Sequence, residues 1–374
     1  MKILIDCVCL QHGINGGAEY AKRILQEIWK DKSFEIIIYL SKKRYLPEEY
    51  DMILNGMFLK RYYMEDIDLK TIISEEGIDK FFFPLLQCYR NVNLEEIAIP
   101  CIGVLHDLRG LEMAFSNVYS FLSIKTHIKQ RILFSNAFYL RRKINKEIGN
   151  IEFWCRKSNK IITVSNYSSN VIRFFIPEIK TKVCYSPLRE IPFIKDGIYS
   201  DELRKAIDTK MKYFLLVSAD RKEKNANVVF KAFERLVKDM PDFYLITTGI
   251  KKKLLHNHIP LDYLSESDLY FAYKNSFAFI YPSLHEGFGY PPVEAMKLGI
   301  PVIASNVTSI PEVLGDAPLY FSPIYPIDLY GKMINMIVNR KEYSLRSSVQ
   351  YRKIKEKQDR HLLALVDLIK KPVE

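Results

Sequence analysis

The chain has 374 residues, of which 48% are hydrophobic and 26% are charged, and its formal net charge is +11. Its length is about twice that of a typical domain, so two domains are expected, and the hydrophobic share excludes a disordered chain. The charge suits a polyanionic partner such as nucleic acid, an anionic membrane or a phosphorylated substrate. Because no nucleic-acid-binding module is recognisable, we expect no nucleic acid partner.

The amino terminus predicts neither secretion nor a membrane span. Residues 1–10, MKILIDCVCL, form a short apolar run interrupted by Asp6, which is typical of a first strand and not of a signal peptide. No run reaches the roughly 18 apolar residues that a spanning helix needs. We therefore expect a cytoplasmic protein, and peripheral association with the inner face of the membrane stays open.

The cysteines lie among apolar neighbours, which indicates buried, reduced thiols. Cys7 and Cys9 are predicted on the same face of the first strand, and no second close pair completes a zinc site. The other cysteines are Cys88, Cys101, Cys155 and Cys184.

Strand-length apolar runs alternate with helical patterns in the first half of the chain. Strands are predicted at 2–8, 34–40, 79–83, 99–105 and 160–164. Their continuous apolar character indicates parallel strands buried on both faces. A helix is predicted from about Gly17 to Lys30. Its buried stripe is predicted to contain Ala21, Ile24, Leu25, Ile28 and Trp29.

Residues 112–158 are predicted to be mostly helical and basic. The basic side chains are Lys125, Lys129, Arg131, Arg141, Arg142 and Lys143. Two interpretations stay open, a helix pair with a solvated basic face or a surface that meets a membrane or an acceptor. The pattern then loosens at about 186–211, where Pro187, Pro192 and Gly197 indicate a linker.

A second alternating series follows the linker. Strands are predicted at 213–218, 243–248, 277–281, 301–304 and 318–321, and helices at 226–239, 266–275 and 291–298. Ser265 and Asp268 resemble a capping box for one of these helices. Two such series predict an α/β fold of two doubly wound, Rossmann-like domains facing across a cleft. In such sheets ligands bind beyond the carboxyl ends of the strands.

The most informative segment is 281–305, YPSLHEGFGYPPVEAMKLGIPVIAS. A strand ends near Tyr281 and a glycine-containing loop leads into a helix that begins with Pro291 and Pro292. Glycines let backbone amides approach a ligand, and a helix amino terminus attracts phosphate. Two carboxylates beside such a site, Glu286 and Glu294, suit the hydroxyls of a sugar or ribose. Taken singly, Glu294 is more typical of a residue that complements the helix dipole, and Glu286 of a surface residue.

This segment resembles the retaining GT-B glycosyltransferases of family GT4, whose E-x7-E signature matches the two glutamates of EGFGYPPVEA. The resemblance is strong over about 212–335 and weak in the first half. It implies a retaining glycosyltransferase with an acceptor domain at 1–190 and a donor domain at 212–340. A final helix at about 341–374 is expected to pack on the first domain.

The resemblance also implies roles for individual residues. Glu286 would contact the donor sugar, Glu294 the ribose, and the loop Gly287, Phe288, Gly289 and Tyr290 the sugar and phosphate. Further matches are Gly16 and Gly17, which match the amino-terminal glycine loop, and His106 with Asp107, which match a His–Asp pair near the donor sugar. Ser165 is interpreted as a helix cap without a chemical role.

The loop SADRKEKN, 218–225, supplies the expected diphosphate contacts. Lys224 matches the family's lysine, whereas Ser218 stands where glycine is common and Ala219 where arginine is common. Arg221 is the expected substitute for that arginine. Lys222 is an open alternative.

Asp66 and Asp68 form a D-x-D pattern that holds a metal in the other large glycosyltransferase fold, GT-A. They lie in a charged stretch before a helical pattern, so we interpret them as helix caps and expect no metal and no cofactor besides the nucleotide-sugar co-substrate. The expected function is transfer of a hexose-type sugar to a glycan or lipid-linked acceptor in cell-surface polysaccharide biosynthesis. The alternatives are another GT-B enzyme, such as a phosphorylase or a nucleotide-sugar epimerase, and an RNA- or membrane-binding module with a vestigial pocket.

Overall fold

The computed structural model describes residues 1–13, 15–86, 97–115, 137–188 and 200–372. The chain divides into two compact units. Unit 1 comprises Met1–Leu111, Arg141–Arg189 and Glu356–Glu374, and unit 2 comprises Glu112–Leu140 and Glu190–Lys355. Predictions for Cys88, Lys125, Lys129, Arg131, Pro192 and Gly197 lie outside the described residues.

Unit 1 is built on a seven-stranded parallel sheet with the order β3-β2-β1-β4-β5-β6-β7. The strands are β1 (Lys2–Asp6), β2 (Glu35–Leu40), β3 (Lys60–Tyr63), β4 (Lys80–Phe83), β5 (Cys101–Leu105), β6 (Lys160–Thr163) and β7 (Thr181–Val183). The helices in this part of the chain are α1 (Gly16–Lys30), α2 (Glu48–Gly56), α3 (Leu69–Glu76), α4 (Arg109–Phe115), α5 (Ala137–Lys157) and α6 (Asn166–Phe175). Leu4, Phe81 and Leu105 lie in one buried core cluster, as expected of central parallel strands.

Side chains begin the helices of unit 1 where the sequence provides caps. Ser165 Oγ accepts the amide hydrogen of Ser168 and opens α6, and Asp68 Oδ1 accepts that of Thr71 and opens α3. Both predicted caps are therefore confirmed. Asp66 is not a cap, because its carboxylate instead pairs with Lys42 Nζ at 2.6 Å.

Two predictions for the amino-terminal region are wrong. β1 ends at Asp6 and a short 3-10 helix covers Val8–His12, so Cys7 and Cys9 do not share a strand face. The Asp6 side chain ends the strand by accepting the amide hydrogen of Val8 at 2.8 Å. Trp29 is 37% exposed although the four apolar residues grouped with it are buried, because it lies at the margin of the α1 stripe beside Lys30.

Unit 2 is built on a six-stranded sheet with the order β10-β9-β8-β11-β12-β13. Its strands are β8 (Lys212–Leu216), β9 (Phe243–Thr248), β10 (His258–Leu261), β11 (Ala278–Tyr281), β12 (Val302–Ser305) and β13 (Leu319–Phe321). The helices are α7 (Asp201–Asp208), α8 (Ala226–Asp239), α9 (Glu266–Lys274), α10 (Tyr290–Lys297) and α11 (Ile310–Leu314). Every pairing recorded in this sheet is parallel. Ser265 Oγ caps α9 by accepting the amide hydrogen of Asp268 at 3.1 Å.

The predicted linker is partly helical. Residues 201–208 form α7, which Ser200 caps by accepting the amide hydrogen of Leu203 and whose Leu203 and Ala206 are buried. The proline and glycine residues that suggested a linker all lie before this helix, so the polar character of α7 hid its short apolar stripe.

The last helical segment, α12 (Pro326–Lys370), consists of two helices joined at a kink, and the second begins near the predicted start of the final helix. Its backbone is interrupted at Asn339, where φ is −110° and ψ is 19°. The residues before the interruption contribute Leu329, Met333 and Met336 to the core of unit 2. The residues from Glu356 onward belong to unit 1, where Lys80 Nζ donates to the carbonyl of Ile369 at 2.6 Å.

The five described cysteines are free and buried, as predicted for reduced thiols. Burial raises the pKa of Cys101 and of Cys155 to about 12, which makes both thiols unreactive at neutral pH. Within the described ranges, no helix is long and apolar enough to cross a membrane.

Candidate functional site

The loop after β11 enters α10 through a left-handed glycine. Gly289 has φ of 95° at the position before Tyr290, and two prolines follow in the first turn of the helix. Side chains with a Cβ rarely adopt this φ, so glycine fits here. The proline at the first helical positions costs no hydrogen bond, because those amides lack intrahelical partners. The result is a helix amino terminus at the carboxyl end of a central strand, an arrangement that attracts anions.

Lys224 and Glu286 form a buried ion pair in unit 2. Lys224 Nζ lies 2.6 Å from Glu286 Oε1, and the two residues are only 5% and 9% exposed. The same ammonium lies 3.3 Å from the Tyr281 hydroxyl and 4.7 Å from the centroid of that ring. The pair joins the loop after β8 to the loop after β11, which are neighbouring strands. The structure thus brings together two residues predicted from separate motifs.

Hydroxyl groups fix the position of Glu286. The Ser283 hydroxyl donates to Glu286 Oε1. The backbone of Glu286 is held by the following loop, because its N–H donates to Thr308 Oγ1 at 3.1 Å and its carbonyl accepts from Ser309 Oγ at 2.9 Å. The predictions from sequence missed Tyr281, Ser283, Thr308 and Ser309. Tyr281 and Ser283 lie inside the predicted motif, but Thr308 and Ser309 contact it only through folding.

Glu294 lies within α10 and is 3% exposed, so it is not a solvated surface residue. Phe288, at 4% exposure, packs its ring 5.7 Å from that of Tyr290. Gly287 and Gly289 flank this buried ring. The predicted donor-binding residues of this segment are therefore gathered in one continuous, largely buried stretch at the start of α10.

The loop after β8 contains a serine with a left-handed backbone, Ser218. Ser218 has φ of 55°, so the backbone here has the left-handed conformation that glycine adopts most easily. Its N–H donates to Thr248 Oγ1 at 2.9 Å. Arg221, predicted as a diphosphate contact, pairs through Nε with Glu223 Oε1 at 2.8 Å and is exposed. Lys222 is also exposed. Of the three predicted basic candidates, Lys224 is the buried one.

In unit 1, Gly16 and Gly17 open α1 at the carboxyl end of β1. Asn15 Oδ1 accepts from the Gly17 and Ala18 amides at 3.0 and 3.1 Å, so the Gly17 amide already has a partner within the protein. A Cβ at Gly17 would lie 3.0 Å from a methyl group of Leu85. Close packing against Leu85 is therefore one reason for glycine at position 17, in addition to any approach of a ligand.

His106 and Asp107 follow β5, as predicted. His106 Nε2 contacts the Pro84 carbonyl at 3.1 Å, and the ring packs edge-on against Tyr20 of α1 with centroids 4.5 Å apart. Desolvation lowers the pKa of His106 to about 4, so the imidazole is neutral near pH 7 with its Nε2 proton directed to Pro84. Asp107 accepts the amide hydrogen of Arg109 at 3.0 Å and pairs with its guanidinium. Asp107 thus organises the start of α4.

Among the described residues, no group of three or more His, Cys, Asp or Glu side chains could hold a metal ion. The Asp66 and Asp68 side chains are engaged by Lys42 and by the amide of Thr71. The unit 2 site presents an ammonium, two carboxylates, hydroxyls and backbone amides.

Parts of the chain are similar to proteins that are described as glycosyltransferases. Residues 200–350 match the family described as Glycosyl transferases group 1. A stretch of 63 residues is 52% identical to O-antigen chain mannosyltransferase B of Escherichia coli, covering 17% of this chain and 16% of that protein's length. A longer match, 26% identical over 364 residues, is to the uncharacterized glycosyltransferase MJ1178 of Methanocaldococcus jannaschii, covering 91% of this chain and 89% of that protein.

The fold also matches that of solved structures. The structure of Anabaena Alr3699/HepE in complex with UDP and glucose superposes with a TM-score of 0.67 at 14% identity, covering 100% of both chains. The predicted fold class, an α/β chain with two Rossmann-like domains of the GT-B type, is confirmed.

Proposed function

We propose that this chain, whose residues 200–350 form a domain of the glycosyl transferases group 1 type, is a glycosyltransferase of surface polysaccharide biosynthesis. It moves a hexose-type sugar from a nucleotide-diphosphate sugar to a glycan or lipid-linked acceptor, with retention of configuration and without a metal ion. The E-x7-E resemblance to family GT4 supports the retention, and the match to an O-antigen mannosyltransferase supports the acceptor class.

The buried Lys224–Glu286 pair carries this proposal. A buried charge pair that only stabilised a fold could be replaced by apolar side chains at little or no cost. Here Glu286 lies in the loop that leads into α10, and both partners lie within the region that matches the family. An ammonium and a helix amino terminus suit a diphosphate, and a carboxylate suits sugar hydroxyls.

Different residues contact the diphosphate, the transferred sugar and the ribose of the donor. The diphosphate contacts Lys224 and the amides of Gly287, Phe288 and Gly289, with Arg221 turning from Glu223 to add a second cation. Glu286 accepts hydrogen bonds from hydroxyls of the transferred sugar, and buried Glu294 accepts them from the ribose. Tyr290 lines the same helix end. For unit 1, the resemblance implies a catalytic role for the neutral His106 and for Asp107, and a donor-binding role for Gly16 and Gly17.

Catalysis in this account is stabilisation of the leaving group. Negative charge grows on the nucleoside diphosphate as the glycosidic bond breaks, and preorganised cations and amides at that position stabilise the transition state more than the ground state. The acceptor hydroxyl attacks the anomeric carbon from the face that the diphosphate leaves, which retains the anomeric configuration. As the bond to the diphosphate breaks, the hydroxyl proton passes to the departing phosphate oxygen. His106 enters this step uncharged.

The donor is best sought among nucleotide-mannose and nucleotide-glucose compounds. The E. coli relative is named a mannosyltransferase, whereas the Anabaena protein binds UDP and glucose. A panel of UDP-, GDP- and ADP-linked sugars therefore covers the proposal. Binding of any member would raise the melting temperature, because the ligand stabilises only the folded state.

The test is incubation of the full chain with each nucleotide sugar, with and without glycan and lipid-linked acceptors. We expect one hexose mass to be added to an acceptor and a nucleoside diphosphate to be released, with NMR of the new linkage giving the donor's anomeric configuration. Conversion of the donor to an isomeric nucleotide sugar without acceptor would instead support an epimerase. Absence of donor binding across the panel would contradict the proposal.

A further inference from the structure

Thr308 has a backbone conformation that its side chain disfavours. Its φ is 52°, and the turn around it is closed by the Ile310 N–H donating to the Val307 carbonyl at 3.2 Å. A β-branched residue with positive φ is a rare outlier, and glycine is the residue usually found there. Such strain persists where the surrounding structure imposes it, often at functional sites.

The strained turn holds the peptide groups of Glu286. Glu286 lies in a segment without helix or strand, so no ladder of regular hydrogen bonds positions it. Thr308 Oγ1 accepts the Glu286 amide hydrogen at 3.1 Å. The hydroxyl of the next residue, Ser309, donates to the Glu286 carbonyl at 2.9 Å. Ser309 occupies the residue before α11 yet makes no side-chain cap hydrogen bond there.

We propose that Thr308 is a positioning residue for Glu286, an inference that rests on the glycosyltransferase function proposed above. Its left-handed backbone aims Oγ1 at the Glu286 amide, and the β-branch restricts the hydroxyl to few rotamers. Glycine would relieve the strain but would lose the acceptor. Serine would keep the acceptor with less crowding. Strain is thus retained because it fixes a carboxylate that faces the donor sugar.

Replacement by glycine and by serine separates positioning from folding. Thr308→Gly should keep Tm within about 3 °C of the parent, because relief of backbone strain offsets the added freedom of the unfolded chain. Thr308→Ser should also fold normally. Lys210→Gly is the matched control, since Lys210 is exposed and has the same φ of 52° without contact to Glu286.

The first measurement is amide hydrogen exchange at Glu286, which needs no substrate. Exchange should be at least about tenfold faster in Thr308→Gly than in the parent, Thr308→Ser and Lys210→Gly, because only the glycine variant loses the hydrogen-bond acceptor. Equal protection in Thr308→Gly and the parent would overturn the inference, whether or not the protein transfers sugar.

The second measurement is steady-state transfer. We expect kcat of Thr308→Gly to fall about 10- to 100-fold, since small displacements of a positioned group have effects of that size, while Thr308→Ser stays within about threefold. In a Glu286→Gln background the glycine substitution should add little, because Thr308 acts through that carboxylate. If the parent transfers sugar and Thr308→Gly has the same kcat, the positioning role of Thr308 is overturned and the proposed function is not. An inactive parent contradicts the proposed function and leaves the exchange result to decide the positioning role.

Discussion

Lys224 Nζ lies 2.6 Å from Glu286 Oε1, and the two residues come from loops after neighbouring strands of unit 2. The ammonium that is proposed to bind a diphosphate is therefore already neutralised by a carboxylate. An incoming diphosphate must share Lys224 with Glu286 or separate the two. In the proposed function, Glu286 therefore competes with the diphosphate for Lys224 in addition to contacting the sugar.

This competition predicts opposite effects of Glu286→Gln on binding and on turnover. The change removes a negative charge beside the diphosphate and frees Lys224, so a nucleoside diphosphate without sugar should bind about three- to tenfold more tightly. Transfer from the nucleotide sugar should fall at least tenfold, roughly 1.4 kcal/mol, because the carboxylate no longer accepts from the sugar. Calorimetric titration with the diphosphate and steady-state kinetics measure the two effects.

Glu294→Ala is the comparison variant for that titration. Loss of the hydrogen bond that we propose from Glu294 to the ribose should weaken binding of the nucleoside diphosphate by about 1.5–3 kcal/mol, the opposite direction from Glu286→Gln. Weaker binding in both variants would show that Glu286 does not compete for Lys224.

The central strands of both sheets could be predicted, whereas three edge strands could not. β3, β7 and β10 each lie at the edge of a sheet, and their sequences are KRYY, TKV and HIPL. An edge strand has one partner and an exposed side, so it tolerates charge and, in β10, proline. Continuous apolar runs identify strands buried on both faces and give no signal for these edges.

The part of the candidate site that lies in one continuous segment could be predicted from the sequence. The contacts that distant residues make with it only after folding could not. The grouping of Glu286, Gly289 and Glu294 in one candidate site could be predicted because a strand, a glycine loop and a helix start follow one another directly. The role of Thr308 could not be inferred, because it depends on a left-handed φ and on a contact 22 residues away. The pairing of Arg221 with Glu223 was equally hidden, since short loops have no fixed side-chain direction.

A metal ion should not be needed for transfer. Asp68 caps α3 by accepting the Thr71 amide hydrogen at 2.9 Å, a role that asparagine also performs well. We expect Asp68→Asn to retain activity and Asp68→Ala to lower stability by about 0.5–2 kcal/mol with the same kcat. Transfer should continue in EDTA. Loss in EDTA with rescue by manganese would overturn the prediction.

Acid should destabilise the protein through two desolvated histidines, His258 and His106. Desolvation lowers the pKa of His258, which accepts the Leu254 amide hydrogen at Nδ1, to about 4 from the ordinary 6.5. The unfolded chain therefore binds the proton more readily, so stability is full above pH 6.5 and falls as the pH drops from 6.5 towards 4. His106 acts in the same direction.

The measurement is the unfolding free energy against pH for the parent and two variants. His258→Asn should flatten the slope between pH 4 and 6.5 by up to about 1.4 kcal/mol per pH unit. His256→Asn is the matched control, because His256 is an exposed neighbour. Parallel curves for the parent and His258→Asn would contradict the prediction.

Binding to an anionic membrane is expected from the basic stretch that includes α5. Arg142 and Lys146 are exposed there, and each basic residue near such a surface contributes about 1 kcal/mol, screened by salt. Arg142→Glu with Lys146→Glu should weaken sedimentation with anionic vesicles. The same reversal at exposed Lys252 and Lys253 is the control with equal net charge. Equal binding to neutral vesicles would contradict an electrostatic origin.

The most direct test compares kcat/KM for sugar transfer in Lys224→Ala and Lys222→Ala. These lysines lie two positions apart in one 3-10 turn, but Lys224 is buried against Glu286 whereas Lys222 is exposed. We predict a loss of at least about tenfold for Lys224→Ala, equivalent to 1.4 kcal/mol, because the leaving diphosphate gains charge as the bond breaks. Lys222→Ala should change kcat/KM by less than about twofold. Unchanged kinetics in Lys224→Ala, or a larger loss in Lys222→Ala, would contradict the assignment of this site to the donor diphosphate.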